Sequence, residues 1–244
     1  MRDLVRSPAT AGNSALVKKN PLHTGAHEKT MDLAAAWPVP SQTLPEIYPA
    51  RIGQLLVSAY ADVLGAYGLE QALGKAGVTI PPVAPGGVMP DLPFETPALI
   101  AQAIEELHGE QVGRGLCLRA GRAMFRRGVR EFSRILGLTD RGFRLMPPAQ
   151  KILRGMDLLA WLLNHYSDQR VHVEKDSAHI LLINERCPHC EKRQKDHPAC
   201  QLPVGALEEG MAWASGGKRY AVEETACRAK GDPTCTYQIS RKPL

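Results

Sequence analysis

The residues with the clearest chemistry lie near the end of the chain. Cys200 is followed by Glu224, Cys227 and Cys235, the last three spaced Glu-x2-Cys-x7-Cys. Thiolates and a carboxylate gathered around one short hairpin are a donor set for a tetrahedral zinc ion. Just upstream, Cys187-Pro-His-Cys190 forms a CxxC loop with His189 inside it, and His197 follows. A CxxC is half of many zinc sites, and also of redox pairs and iron–sulfur sites. Five cysteines exceed one tetrahedral site, so the spacing leaves three arrangements open. The Glu/Cys set holds the metal, the CxxC holds it, or there are two sites. Reduced, buried thiols without metal and a CxxC thiol–disulfide switch are the competing readings. The sequence supplies no open coordination position and no general base beside these residues. The expected metal is therefore structural zinc, and no catalytic residue is assigned.

Hairpin geometry must position these groups. Alternation places Tyr220, Val222 and Glu224 on one strand face, and Cys235, Tyr237 and Ile239 on one face of the next. Antiparallel pairing around the loop 225–234, with Gly231-Asp232-Pro233 as its turn, brings Glu224 and Cys235 to the loop mouth. Cys200 comes from the start of the preceding helix, expected over Pro203 to Ala214, where the helix dipole favours a thiolate. Gly216-Gly217 ends that helix. An upstream hairpin is expected over Arg170 to Glu174 and Ala178 to Asn184, turned by Asp176-Ser177.

The first part of the chain reads as helices. Ile52, Leu55, Leu56, Ala59, Val63 and Leu64 recur at helical spacing from about Pro49, with Gly68 as a stop and a short helix over Leu69 to Lys75. Thr96-Pro97 reads as an N-cap and first-turn proline of a helix through Leu107. Residues 113 to 136 carry an apolar stripe and a basic one, Arg119, Arg122, Arg126 and Arg130, expected to be a solvated face. A further helix spans Ala149 to Tyr166. Cys117 reads as a small core residue. Helices first and strands last argue an α+β fold with an antiparallel sheet.

The chain has 244 residues, is 44% hydrophobic and carries a net charge of +5. That mild charge with sparse aromatic interleaving argues against nucleic acid as a partner. No run of about 18 apolar residues predicts a membrane span, and no apolar leader follows the first methionine. A cytoplasmic location is expected. Residues 1–43 read as a disordered polar tail, and 44–244 as a single domain with a helical half, 44–168, and a strand and metal-loop half, 169–244.

Pro198-Ala-Cys200 through Gly205 and Gly210, then YAVEETACRAKGDPTC, resembles the 4-vinyl reductase (4VR) domain family. That family includes zinc-containing small-molecule sensor domains of aromatic-responsive bacterial regulators and a protein linked to bacteriochlorophyll synthesis. The resemblance implies helices on one face of an antiparallel sheet, a fold similar to haem-based nitric oxide sensors and a vesicle-tethering family. It assigns zinc to Cys200, Glu224, Cys227 and Cys235, with Cys187 and Cys190 as alternative ligands. It also implies an apolar cavity near the metal for a small apolar, aromatic or tetrapyrrole-like ligand, and often a homodimer. Trp161, His165 and Tyr166, aromatics with polar tips, are the expected ligand-binding residues. The chain runs only four residues past Ser240. The expectation is a binding or sensor module without its own output domain, acting through a partner protein. The alternative is a reductase or carrier for the vinyl group of a chlorophyll precursor. No GxGxxG after a strand and no P-loop is present to seat a hydride cofactor, so binding is preferred over catalysis.

Overall fold

The computed structural model describes residues 47–81, 87 and 89–244. The tail expected over 1–43 and part of the Pro/Gly-rich loop lie outside the described residues. Among the described residues the helices and strands follow in the order β1 (Ile47–Tyr48), α1 (Ala50–Ala76), β2 (Leu92–Pro93), α2 (Thr96–His108), α3 (Glu110–Phe132), α4 (Arg141–Leu145), α5 (Pro148–Tyr166), β3 (Val171–Lys175), β4 (His179–Asn184), α6 (Gln201–Ser215), β5 (Tyr220–Ala226) and β6 (Cys235–Pro243). The fold is α+β, as the period change from helix to strand predicts.

The main sheet is antiparallel throughout, in the order β3-β4-β6-β5. Its register sets Val171 opposite Asn184, Asn184 opposite Cys235, and Glu224 opposite Tyr237. A register shift between Glu224 and Ala226 marks a bulge in β5, which re-aims the chain as it enters the metal loop. Ile180, Leu182, Tyr220, Tyr237 and Ile239 are buried in one cluster with Ile152 and Met156 of α5 and Val204, Leu207 and Met211 of α6. These helices therefore cover the inner face of the sheet. Helices α1, α2 and α3 build a second cluster around Leu56, Tyr60, Ile100 and Ile104, joined by Leu162 and Tyr166 of α5 and Leu202 of α6. Cys117 is buried there, accepting a hydrogen bond from the Tyr60 hydroxyl at 3.7 Å. At the sheet edge, the Asn164 amide bonds both the N–H and the carbonyl of Val171, at 2.7 and 2.6 Å, and so pins β3 to α5.

Three boundaries differ from expectation. The break in α1 falls at Gly65 (φ 72°, ψ 171°), not Gly68. Only glycine takes that conformation readily, and periodicity does not tell which of two nearby glycines adopts it. Helix α2 is capped by Glu95, whose carbonyl accepts from Ala98 and Leu99 at 2.9 and 3.0 Å, so Thr96 lies inside the first turn. The basic stripe of α3 is a clamp as much as a solvated face. Arg122 bonds Glu208 at 2.7 Å and Arg126 pairs with Glu209 at 3.1 Å, both on α6, while Arg127 makes two bonds to Asp62 of α1. Among the described residues α1 has the length and mean hydropathy of a membrane span. It is broken at Gly65 and packs on α2 and α3.

Helices α3 and α6 cross at backbone contact. A methyl group at Gly205 would collide with the Leu118 carbonyl oxygen, and one at Gly121 with that of Leu202. Gly205→Ala is accordingly expected to cost about 1–3 kcal/mol, the usual range for overpacking. Gly74, in α1, has open space at the same position, and Gly74→Ala is expected to gain roughly 0.5–1 kcal/mol from helix propensity. Urea unfolding of the two variants should give midpoint shifts of opposite sign. Equal shifts would show that the crossing relaxes freely.

Candidate metal centre and ligand cavity

The turn after β4 carries Cys187 and Cys190, and Arg193 N–H closes it on the Cys190 carbonyl at 3.1 Å. Lys192 follows in the left-handed region (φ 60°). Lys195 N–H then bonds the Ala229 carbonyl at 2.8 Å, which fastens this loop to the short 3-10 turn Arg228–Lys230 between β5 and β6. In that second loop Asp232 accepts from Cys227 N–H at 2.8 Å, and Gly231 takes φ 100°. Cys200 caps α6 between the two loops. The CxxC and the Glu-x2-Cys-x7-Cys set are thereby folded onto each other.

The result is one continuous cluster. Cys187, Cys190, Cys200 and Cys235 form one set with ligand atoms all within 4.8 Å, and Cys200, Glu224, Cys227 and Cys235 form another; all are buried. Cys200 Sγ lies 3.7 Å from Cys187 Sγ and 3.9 Å from both Cys227 Sγ and Cys235 Sγ, while Cys190 and Cys235 are 3.3 Å apart. Arg228 N–H points at Cys235 Sγ at 3.4 Å. Glu224 Oε2 accepts the Cys200 N–H at 2.7 Å, whereas its Oε1 is buried with no partner. An orphaned carboxylate oxygen against a crowd of thiols fits a metal, and this cluster could hold one. Of the two expected histidines, neither joins a set: His197 pairs with Asp196 and Glu110, and His189 turns to the cavity described below.

Burial governs the ionisation of these groups. It pushes the Glu224 carboxyl up to about 9, with the Cys227 charge adding to the shift. Burial also raises the Cys200 thiol well above its ordinary range, so the α6 dipole alone does not make it a thiolate. For Cys187 burial acts in the same direction, but thiol donors from Cys190, Cys200 and Cys235 hold it well below the ordinary range. Such a cluster exchanges several protons for a cation when it is filled.

A buried ion pair props the cluster from outside. Arg193 donates to both oxygens of Glu105 in α2 at 2.7 Å, and Lys195 adds a contact at 2.8 Å. Arg193 also donates to the carbonyls of His189 and Ala199 at 3.4 and 3.3 Å. It thus links the CxxC loop, the residue before Cys200 and the helical half. Burial alone would raise the Glu105 carboxyl, but the Lys195 and Arg193 hydrogen bonds and charges hold it below the usual range. The sequence reading missed this pair, whose one available signal was an acidic residue on the apolar face of α2.

An apolar cavity of about 200 Å³ lies between α3, α5, α6 and the sheet. Met124, Phe132, Met156, Leu159, Leu163 and Met211 are among its walls, and Tyr237 and His189 bring it to the metal cluster. The Tyr237 hydroxyl is 3.8 Å from Cys187 Sγ. Burial lowers the His189 pKa to about 4, so the imidazole is neutral near pH 7. Its remaining polar walls include Gln169 and Asn184, bonded to each other at 2.9 Å. Trp161, His165 and Tyr166 are not among the lining residues. They pack on one another, Trp161 over His165 at 4.6 Å between ring centres, and Tyr166 stacks on Phe132. The cavity takes the α5 face defined by Ile152, Met156, Leu159 and Leu163 instead.

Residues 182–241, which carry most of the cluster, match the domain model of the 4-vinyl reductase (4VR) family. No curated protein matches the chain significantly. Among solved structures, an H-NOX protein from S. oneidensis is 11% identical with a TM-score of 0.50, covering 81% of this chain and 99% of that one. A Cs H-NOX variant is 11% identical with a TM-score of 0.51, covering 81% and 98%. The phenol-responsive sensory domain of the transcription activator PoxR is 19% identical with a TM-score of 0.45, covering 70% and 89%. The H-NOX likenesses show a shared fold.

Proposed function

We propose that this chain, with its 4VR domain, is a small-molecule sensor or binding protein whose cavity takes a compact apolar or aromatic ligand, with structural zinc in the thiol cluster beside it. The observation that carries the reading is the enclosed apolar cavity joined to the cluster through Tyr237 and His189. A cavity of about 200 Å³ is on the scale of an engineered void of about 150 Å³ that accepts benzene. It suits one or two small rings better than the four pyrroles of a chlorophyll precursor, which favours sensing or carriage over vinyl reduction. Zinc suits a buried set rich in cysteine with one carboxylate. Free, buried cysteines fit a reducing, cytoplasmic setting. Residues 44–244 would form one domain, acting through a homodimer or a partner protein.

Toluene, titrated by saturation-transfer NMR, tests the cavity. The full chain is expected to bind it saturably. Leu159→Trp, which fills the cavity, is expected to weaken binding more than tenfold. Trp161→Phe, outside the lining, is expected to leave it within a factor of two. Equal loss in both variants, or no saturable binding to the parent protein, would overturn the assignment.

A further inference from the structure

The geometry points to a pair of divalent metal ions in this cluster, bridged by the thiolates of Cys200 and Cys235. This rests on the proposed metal reading and extends it. One ion takes Cys187, Cys190, Cys200 and Cys235, and the other takes Cys200, Glu224, Cys227 and Cys235. The two sets of buried ligands share one edge, Cys200 and Cys235.

Four observations support it. First, the sulfur separations fit. A tetrahedral site with metal–sulfur bonds of about 2.3 Å has edges of about 3.8 Å. The shared edge is 3.9 Å, Cys187–Cys200 is 3.7 Å and Cys200–Cys227 is 3.9 Å. Second, one ion leaves a buried remainder whichever set it chooses. In the all-cysteine set, Glu224 Oε1 stays buried without a partner. In the Glu-containing set, Cys187 and Cys190 stay as closely packed thiols, with Cys190 3.3 Å from Cys235. Third, a bridging thiolate carries charge to two ions and gains from an additional donor, and Arg228 N–H is aimed at Cys235 at 3.4 Å. Fourth, five thiolates and a carboxylate carry far more negative charge than one divalent ion offsets, which a low-dielectric interior penalises. A thiol-rich donor set selects zinc-class ions.

Filling the sites breaks S–H and O–H bonds, forms metal–ligand bonds and releases the protons to solvent. No electron is transferred.

The test uses the full chain, stripped anaerobically and titrated with Co2+ alone. Native mass spectrometry is expected to show two ions per chain. Thiolate-to-cobalt absorption should rise to two equivalents. The high-spin Co2+ EPR signal should peak near one equivalent and fall towards the second, because a shared thiolate couples the two spins. Cys187→Ser and Cys227→Ser, each removing a ligand from one side, should each bind one ion whose EPR signal persists. One ion per chain in the parent protein, two ions with an EPR signal that keeps rising, or acid-labile sulfide in the purified protein would overturn the bridged pair and leave the metal reading standing. No bound ion at all would overturn both.

Discussion

Stripping zinc from the loaded protein is expected to lower its stability by at least about 5 kcal/mol, which for a domain of this size is roughly 10–20 °C in melting temperature. The cluster ties three segments that have few other links. The CxxC loop follows β4, Cys200 starts α6, and Cys227 and Cys235 bracket the 3-10 turn. Without metal, five thiols and a carboxyl remain buried at 5% exposure or less. The loss should be local first. Hydrogen exchange is expected to rise in the two loops while the α1–α3 cluster stays protected, since that cluster contains none of the ligands. Calorimetry with and without chelator checks the magnitude. An unchanged melting temperature would show that the metal has no structural role.

Arg193→Met is expected to cost about 3–5 kcal/mol, because it leaves Glu105 buried opposite a neutral side chain. Arg193 and Glu105 have side-chain exposures of 2% and 5%, so solvent screens the pair little. Replacing both, with Glu105→Leu added, is expected to cost less than the single change, since no uncompensated charge remains. The effect should depend on pH in a definite direction. The Glu105 carboxyl is held below its ordinary range in the folded protein. Its contribution is therefore present above the unfolded value of about 4.3 and is lost as pH falls through the folded value. Urea unfolding of parent and Arg193→Met proteins should differ most near neutrality and converge in acid. A constant difference down to pH 3 would mean that Arg193 acts through packing and its carbonyl contacts rather than through Glu105. The same variant should also weaken metal retention, since Arg193 holds the carbonyls of His189 and Ala199 that flank ligand cysteines.

Much of this was legible locally. Helix α5 and the β3–β4 hairpin sit within a residue or two of the elements read from periodicity and turn chemistry, because both signals are set by near neighbours along the chain. The β5–β6 hairpin likewise brings Glu224, Cys227 and Cys235 together by alternation and loop closure alone. Other features depend on what a residue meets across the fold. Helix α5 is apolar on most sides, so its pattern does not reveal which face looks into the cavity. The surrounding layers decide that Met156, Leu159 and Leu163 do, and that Trp161 and His165 do not.

By itself, then, the sequence determined the order of elements, the single antiparallel sheet and a thiol-rich loop pair at its end. Those rest on 3.6 and 2 residue periods and on short loops. Only the tertiary structure decided that the CxxC and the Glu/Cys hairpin form one cluster with Cys200 and Cys235 in common. It alone decided that Glu105 and Arg193, 88 residues apart, are bonded in the interior, and that Gly121 and Gly205 let α3 and α6 touch. Each of these is a meeting of segments distant in the chain. Packing of the whole core selects it, and no local pattern encodes the partner.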